Sequence, residues 1–321
     1  MNIPGFEDVL EAQRRIQPHV HRTPVMTSAY FDDRSGAQIF FKCENLQKVG
    51  AFKARGACNA VFGLDEATAA RGVATHSSGN HAGALSYAAA RRGIEATVVM
   101  PRTAPEAKKA AVRSYGGRIL ECEPTQAARE AMLDEVIADT GADMVHPYDD
   151  ARVIAGQATC ALELLEQVEA LDAIVAPVGG GGLVSGTCLA LSNRSPQTRI
   201  YAAEPAAADD AHRSFQAGEI VLRDGQRSIA DGLNTNLKPL TWHFVSGFVE
   251  DILLVSDQEI IDEMYLSWQR LKIIIEPSSA VALAVVLKYP EHFRGKRVGI
   301  IITGGNVDLH ACPGCPQTAD D

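Results

Sequence analysis

The stretch Gly50-Ala51-Phe52-Lys53-Ala54-Arg55-Gly56-Ala57 places one lysine, Lys53, in a short run of small and apolar residues. A predicted strand over residues 38–42 precedes the run, and a helical pattern over residues 57–62 follows it. A lysine at the mouth of a helix, partly removed from water, should have a lowered pKa, because both conditions disfavour the ammonium form. Free amine is what a Schiff base with an aldehyde requires. A surface lysine at a helix start fits the same stretch, so the rest of the chain must decide.

The composition is that of an ordinary globular protein, with 46% hydrophobic and 22% charged residues in a chain of 321. The net charge is −10 with dispersed acidic residues, which argues against nucleic acid or an acidic membrane as a partner. No apolar run approaches the roughly 20 residues of a membrane span, and no secretory signal is visible. We therefore expect a cytoplasmic protein with reduced cysteines.

The seven cysteines fall into two groups. Five occur in patterns typical of buried positions: Cys43, Cys58, Cys122, Cys160 and Cys188. The other two form the C-x-x-C pattern Cys312-Pro313-Gly314-Cys315, which is typical of redox and zinc sites. The sequence contains no second pair to complete a zinc site, so it assigns no role to Cys312 and Cys315.

Short apolar strands alternate with helical patterns along most of the chain. The predicted strands lie at 72–75, 96–101, 118–122, 173–178, 199–204 and 297–303. Such alternation indicates parallel strands joined by crossover helices. We predict an α/β protein with a small domain at 70–149 and a large domain formed by 1–69 and 150–321.

Four consecutive glycines, Gly179, Gly180, Gly181 and Gly182, stand between a buried strand and a helix. Glycine lets the backbone approach a ligand closely, and N–H groups at a helix start attract an anion, so we predict a phosphate site. A Rossmann dinucleotide site would need G-x-G-x-x-G, which this run does not satisfy. Glu204 nevertheless lies about 20 residues further on, where a ribose-binding acid is expected.

The segment Ser77-Ser78-Gly79-Asn80-His81 is a second strand-to-helix turn, and its N–H groups and hydroxyls suit a carboxylate. Asn80 adds an amide that can hydrogen-bond a phenolic oxygen. His76 and His81 are candidates for catalysis, although packing or capping near a helix start explains them equally well. Thr303 ends the last strand, where ligands of open α/β sheets bind, and its hydroxyl can meet a ring nitrogen.

Together these sites offer an amine for an aldehyde, a glycine turn for a phosphate, and an amide and a hydroxyl for a ring. Pyridoxal 5′-phosphate (PLP) is the cofactor that combines an aldehyde, a phosphate, a phenolic oxygen and a ring nitrogen.

The chain resembles the serine racemase and threonine/serine (or 3-hydroxyaspartate) dehydratase family of fold-type II PLP enzymes. The matching segments run in order through nearly the whole chain: Phe52-Lys53-Ala54-Arg55-Gly56-Ala57, Thr75-His76-Ser77-Ser78-Gly79-Asn80-His81, Gly156-Gln157, Pro177-Val178-Gly179-Gly180-Gly181-Gly182-Leu183, Glu276-Pro277-Ser278 and Thr303-Gly304-Gly305-Asn306-Val307-Asp308. The resemblance implies a tryptophan synthase β-like fold. In that fold two open, twisted, mostly parallel sheets are flanked by helices, and the active site lies in the cleft between a large and a small domain.

The resemblance implies a role in cofactor binding for each matching residue. Lys53 would form the Schiff base, with Phe52 packed against the ring. Asn80 would hold the phenolic oxygen, Thr303 would face the ring nitrogen, and Glu276 would lie beside the cofactor. The phosphate would be held by Gly179, Gly180, Gly181, Gly182 and Leu183.

The resemblance also implies substrate contacts. The α-carboxylate would be seated by Ser77, Ser78, Gly79, Asn80 and His81. Ser78 lies where a second acid–base group is needed on the other face of the substrate. Arg129 would reach the distal carboxylate of a dicarboxylic ligand, which makes 3-hydroxyaspartate a candidate beside threonine and serine, although a surface arginine is an equal alternative. Thr235 stands in a loop where the racemase-like serines are replaced.

The loop Glu204-Pro205-Ala206-Ala207-Ala208-Asp209-Asp210 resembles the divalent-cation loop of the family. Glu204 and Asp210 would bind through carboxylates and Ala208 through its carbonyl. Hard oxygen donors suit Mg²⁺, with Ca²⁺ or Mn²⁺ as alternatives. A solvated acidic loop, or the nucleotide role of Glu204, explains the same residues.

The leading hypothesis is a PLP-dependent ammonia-lyase, which converts a β-hydroxy amino acid into a 2-keto acid and ammonia by β-elimination. The first alternative is an amino acid racemase that uses Lys53 and Ser78 on opposite faces of the substrate. The second is a nucleotide-binding oxidoreductase or binding module. The resemblance also suggests a homodimer acting on a small amino acid.

Overall fold

The strands of the protein form two separate sheets. In the computed structural model, which describes residues 2–223, 225–309 and 312, the strands are β1 (Val25–Met26), β2 (Gln38–Cys43), β3 (Val73–His76), β4 (Ala96–Pro101), β5 (Arg118–Cys122), β6 (Asp143–Met144), β7 (Ala173–Pro177), β8 (Arg199–Pro205), β9 (Asp251–Val255) and β10 (Arg297–Ile302). The larger sheet has the order β1-β2-β10-β7-β8-β9, and the smaller has the order β5-β4-β3-β6. β1 is antiparallel to β2, and the other pairs are parallel. The predicted two mostly parallel sheets are confirmed.

Helices connect the strands and cover the sheets. They are α1 (Phe6–Ile16), α2 (Ala29–Ser35), α3 (Lys53–Phe62), α4 (Glu66–Ala69), α5 (Asn80–Arg92), α6 (Glu106–Ser114), α7 (Gln126–Thr140), α8 (Ala151–Gln167), α9 (Gly182–Arg194), α10 (Asp210–Ala217), α11 (Pro239–Phe248), α12 (Asp257–Leu271), α13 (Pro277–Lys288) and α14 (Pro290–Phe293). All four strands of the smaller sheet lie within residues 70–149. The domain boundaries themselves stay a prediction.

The central strand β7 is buried along its whole length, because helices cover both of its faces. Val175 faces a cluster that includes Val281 of α13, whereas Ile174 faces a cluster that includes Ile154 of α8. Successive side chains therefore enter two different cores, which explains why the strand reads as a continuous apolar run.

The position of α3 is fixed by its contact with α8. A Cβ atom built on Gly156 would lie 2.6 Å from the Cα of Gly56, so the two helices meet backbone to backbone. Next to this contact the buried guanidinium of Arg55 pairs with Glu44 at 2.7 Å and with Glu163 at 2.8 Å. Because a buried charge left without its partner is costly, these pairs hold the first turn of α3, where Lys53 lies, in one place.

The five cysteines predicted to be buried are buried, and none of them forms a disulfide within the described residues. Cys312 is buried as well, whereas Cys315 lies outside the described residues. In the part of the chain that the structure describes, no helix combines the length and the apolarity that a membrane crossing requires.

Candidate active site

Lys53 is the first residue of α3, at the helix mouth where the sequence placed it. Its amine donates a hydrogen bond of 2.7 Å to the carbonyl oxygen of Pro147, and it lies 5.0 Å from the ring centroid of Phe52. Burial lowers the pKa of Lys53 to about 8, because the ammonium form loses its hydration. The predicted free amine near neutral pH therefore has a physical cause in the fold.

The glycine turn contacts Tyr148, the residue that follows Pro147 in the chain. A Cβ atom built on Gly180 would lie 2.5 Å from the ring of Tyr148, and one on Gly182 would lie 2.8 Å from the Cβ of that tyrosine. Gly181 has a φ of 89°, which glycine adopts without strain. The turn ends at the start of α9, whose first N–H groups have no acceptor inside the helix. Leu183 lies in this first turn, so the arrangement suits an anion.

Phe52 and Thr303 are joined through the backbone, since the N–H of Phe52 donates to the carbonyl oxygen of Thr303 at 2.9 Å. The buried hydroxyl of Thr303 lies 2.9 Å from the hydroxyl of Ser279 at the start of α13. The end of β10, the mouth of α3 and the start of α13 therefore meet at Thr303.

Asn80 and Glu276 connect the two sheets. The amide nitrogen of Asn80 donates to a carboxylate oxygen of Glu276 at 2.8 Å, and its oxygen accepts from Asn306 at 2.9 Å. Burial, assisted by the negative charge of Asp231, raises the pKa of Glu276 to about 8, although the bond from Asn80 opposes the shift. The carboxyl group of Glu276 is therefore largely protonated at neutral pH, and it can both donate and accept.

The predicted carboxylate turn lies between β3 and α5, at the edge of the smaller sheet. Gly79 precedes the helix, and its N–H donates weakly to the hydroxyl of Ser77 at 3.4 Å. Ser78 makes no side-chain hydrogen bond within the described residues, so its hydroxyl remains available. His81 is buried with Nε2 3.1 Å from the carbonyl oxygen of Val145, and burial lowers its pKa to about 3. His81 is therefore neutral.

Arg129 lies on α7, and Thr235 lies in the loop that precedes α11. Arg129, on α7, uses one terminal nitrogen to bond Gln126 at 2.8 Å, whereas its buried Nε atom has no partner. The hydroxyl of Thr235 would lie 3.0 Å from a Cβ atom built on Gly179, so this side chain touches the glycine turn.

The predicted cation loop follows β8. Glu204 is buried, and its carboxylate accepts the N–H groups of Ala211 and His212, each at 2.8 Å. Both oxygens of Asp210 are buried without a partner, and burial raises its pKa to about 6 and that of Glu204 to about 9. Ala208, which lies between them in sequence, is also buried. Within residues 2–223, 225–309 and 312, no group of three or more His, Cys, Asp or Glu side chains is placed to hold a metal.

Three residues of the candidate site were not predicted from the sequence. Tyr148 covers the glycine turn, Pro147 accepts from Lys53, and Ser279 lies against Thr303. Tyr148 and Pro147 follow β6 within four residues, so the rule that ligands bind beyond the carboxyl ends of parallel strands could have drawn attention to them.

A buried amine with a pKa of about 8, near a glycine turn at a helix start, fits a cofactor that carries an aldehyde and a phosphate. On an α/β fold with two mostly parallel sheets, these features define a PLP-dependent enzyme. The chain belongs to the family described as pyridoxal-phosphate dependent enzymes, whose model matches residues 16–304. The resemblance stated from the motifs is thereby confirmed.

Individual relatives are similar over nearly the whole chain. The β-hydroxyaspartate dehydratase of Paracoccus denitrificans (strain Pd 1222) is 63% identical over 313 residues, which cover 98% of this chain and 99% of the relative. The L-threo-3-hydroxyaspartate ammonia-lyase of Saccharomyces cerevisiae is 45% identical, covering 96% of this chain and 95% of the relative. The crystal structure of serine racemase from Dictyostelium discoideum has a TM-score of 0.92 at 47% identity, covering 95% of this chain and 99% of that one.

Proposed function

We propose that this protein is a PLP-dependent ammonia-lyase that converts 3-hydroxyaspartate into oxaloacetate and ammonia. Two relatives that share 63% and 45% of its residues are named for this substrate. The observation that supports the substrate within this chain is Arg129, because its buried Nε atom lacks a partner. The planar guanidinium of Arg129 is suited to bidentate recognition of a second carboxylate.

Bound PLP supplies an aldehyde for the substrate amine and a ring that takes up electrons from the α-carbon. Lys53, Phe52, Asn80, Thr303 and the turn from Gly179 to Leu183 are the residues we propose to hold it, with Glu276 beside them. The amine of Lys53 accepts the proton from the α-carbon, for which its pKa of about 8 is well matched. The β-hydroxyl leaves as water, and hydrolysis of the released enamine returns one water and yields the keto acid and ammonia.

The turn from Ser77 to His81 positions the α-carboxylate, through N–H groups at the start of α5. We assign to Ser78 the donation of a proton to the departing hydroxyl, since its own hydroxyl makes no side-chain hydrogen bond within the described residues. His81 remains neutral at working pH, because burial lowers its pKa to about 3, and it therefore serves as a hydrogen-bonding group rather than as a cation.

Amino acid racemisation is the second candidate function, supported by the similarity to a serine racemase structure with a TM-score of 0.92. In this reaction Lys53 and Ser78 would exchange the α-proton on opposite faces, and the hydroxyl would stay on the substrate. Exchange of the α-hydrogen with deuterium, without release of ammonia, distinguishes racemisation from elimination.

The test is a keto-acid assay across serine, threonine and the stereoisomers of 3-hydroxyaspartate, with wild type, Arg129→Gln and the control Arg113→Gln. Arg113 pairs with Glu106 on the exposed surface of α6, so its replacement should change nothing. Arg129→Gln should raise KM for 3-hydroxyaspartate about tenfold or more and spare serine, since a charged hydrogen bond contributes about 1.5–3 kcal/mol. An unchanged preference in Arg129→Gln would contradict the dicarboxylate assignment.

We further propose that Glu204, Asp210 and the carbonyl of Ala208 hold Mg²⁺, or Ca²⁺ or Mn²⁺ in its place. Two buried carboxylate oxygens of Asp210 without partners support this assignment, because such a group is costly unless a cation or a donor meets it. A homodimer and a cytoplasmic location remain proposals from the sequence and its resemblance.

A further inference from the structure

Ser279 is a fully buried serine in the first turn of α13, and its hydroxyl contacts the end of β10. It accepts the N–H of Gly304 at 2.7 Å and donates to the carbonyl oxygen of Gly304 at 2.7 Å. It also lies 2.9 Å from the hydroxyl of Thr303, which is buried as well. One side chain of α13 therefore holds both the backbone of Gly304 and the side chain of Thr303.

The backbone of Thr303 is held by the segment that leads into α3. Its carbonyl oxygen accepts the N–H of Phe52 at 2.9 Å, and the next residue, Gly304, forms an isolated antiparallel bridge with Ala51. These bonds join Thr303 to the residue that precedes Lys53. Because threonine branches at Cβ, its side chain has few staggered positions, and the contact with Ser279 selects one of them.

The hydrogens of this cluster follow from a count of donors and acceptors. A hydroxyl group has one hydrogen and two lone pairs. Ser279 gives its hydrogen to the carbonyl oxygen of Gly304 and accepts the N–H of Gly304, so its remaining lone pair can only accept. Thr303 therefore donates to Ser279, and its own oxygen is left with acceptor positions alone.

The same hydrogens have a second arrangement that leaves Gly304 with a partner. The carbonyl oxygen of Gly304 also accepts the N–H of Glu276 at 3.0 Å, so it stays bonded when the hydrogen of Ser279 turns to Thr303. The hydrogen of Thr303 is then released for an acceptor outside the cluster. Once such an acceptor is present, the number of hydrogen bonds is the same in both arrangements, so the change costs little.

We propose that Ser279 is a positioning residue for the cofactor, which holds the Thr303 side chain and donates to its oxygen, so that Thr303 donates to the unprotonated ring nitrogen of PLP. A pyridine nitrogen without a proton is an acceptor, and it therefore requires the second arrangement of hydrogens. The inference rests on the proposed function, in which Thr303 faces the ring nitrogen, and it adds the residue through which α13 acts on the ring. A ring without that nitrogen makes no use of Ser279.

The test compares the apoproteins of wild type, Ser279→Ala, Thr303→Val, the double variant and the control Ser267→Ala. Ser267 is a fully buried serine of α12 whose hydroxyl donates to the carbonyl oxygen of Glu263 at 2.7 Å. It matches Ser279 in burial and in its bond to a carbonyl oxygen, but it bonds its own helix rather than β10. Two ligands are titrated: PLP, and its 1-deaza analogue, in which a C–H group replaces the ring nitrogen. Urea unfolding of each variant measures the stability of the fold separately.

Ser279→Ala should raise the Kd for PLP about threefold to tenfold, the effect of one net hydrogen bond, and change the Kd for the 1-deaza analogue by less than about twofold. In the Thr303→Val background the same substitution should change the Kd for PLP by less than about twofold, because Ser279 acts through the Thr303 hydroxyl. Ser267→Ala should leave both Kd values unchanged.

Equal losses of affinity for the two ligands would overturn the inference, since they would assign Ser279 to the fold of the turn rather than to the ring nitrogen. An undiminished effect of Ser279→Ala in the Thr303→Val background, or an unchanged Kd for PLP in Ser279→Ala, would also overturn it. An unchanged Kd for PLP in Thr303→Val would contradict the proposed role of Thr303, and the inference with it. Wild-type enzyme that releases no keto acid from 3-hydroxyaspartate would contradict the proposed reaction, while the titrations would still decide on Ser279.

Discussion

The amine of Lys53 donates a 2.7 Å hydrogen bond to the carbonyl oxygen of Pro147, although 94 residues separate them in sequence. This bond links the mouth of α3 in one part of the chain with the segment that follows the smaller sheet. Tyr148, the next residue, packs on Gly180 of the glycine turn. The bond therefore connects the reactive amine to the segment that contacts the proposed anion site.

Replacing Lys53 by alanine should abolish the visible absorbance of the purified protein, because the aldehyde of PLP then loses the amine that lies near the glycine turn. Ammonia release should fall about a thousandfold, the usual magnitude for the loss of a catalytic base. Absorbance spectra and a coupled ammonia assay measure the two effects. Lys288→Ala serves as the matched control, and a coloured, active Lys53→Ala protein would contradict the assignment.

Uptake of PLP by the apoprotein should follow the pKa of Lys53, which burial lowers to about 8. Only the free amine attacks an aldehyde, so the rate should rise about tenfold per pH unit below pH 8 and level off above it. An unperturbed lysine would instead keep gaining rate up to about pH 10. Stopped-flow absorbance between pH 6 and 10 measures the profile, and a rate still climbing steeply above pH 9 would exclude a desolvated Lys53.

Local patterns predicted the helix mouth at Lys53, the glycine turn between a strand and a helix, and most strands, because each depends on a short run of sequence. Helix α3 begins at Lys53 itself, where residues 57–62 had been predicted. Strand β9 was missed, since five residues without alternation cannot be told from part of a buried helix. Tyr148 was missed for another reason: its role comes from contact with Gly180, and no local pattern reports a contact between distant segments.

In the cation loop, the sequence identified the residues but could not predict the different surroundings that the fold gives them. The sequence named Glu204 and Asp210 as a pair, but the fold gives them different surroundings. Glu204 receives two backbone N–H groups at 2.8 Å, whereas both oxygens of Asp210 have no partner. That difference arises because α10 begins at Asp210 and directs its own first N–H groups toward Glu204.

Mg²⁺ should stabilise the protein through Asp210, because a cation would meet two buried carboxylate oxygens that have no other partner. Millimolar Mg²⁺ should raise the Tm of wild type by several degrees, about what 1–2 kcal/mol of binding free energy produces. Asp210→Asn should remove this response. Asp209→Asn should keep it, since Asp209 pairs with Arg213 at 2.8 Å instead. An equal Mg²⁺ response in both variants would contradict the assignment.

Gly180→Ala should weaken PLP binding and destabilise the fold, because the added Cβ would lie 2.5 Å from the ring of Tyr148. Overpacking of this kind costs about 1–3 kcal/mol, and the ring would have to move away from the turn. Urea unfolding and PLP titration measure the two effects. Adding Tyr148→Ala to Gly180→Ala should recover most of the stability lost, and the double-mutant cycle gives the coupling between the two positions.

The matched control is Gly247→Ala in α11, where no heavy atom lies within 4 Å of the added Cβ. That substitution should stabilise the protein by about 0.5–1 kcal/mol, since alanine is the better helix former, and leave PLP binding unchanged. If Gly180→Ala were as harmless as Gly247→Ala, the Tyr148 ring would be free to move. Packing of Tyr148 would then not fix the distance between Lys53 and the glycine turn. The bound cofactor itself would have to establish that distance.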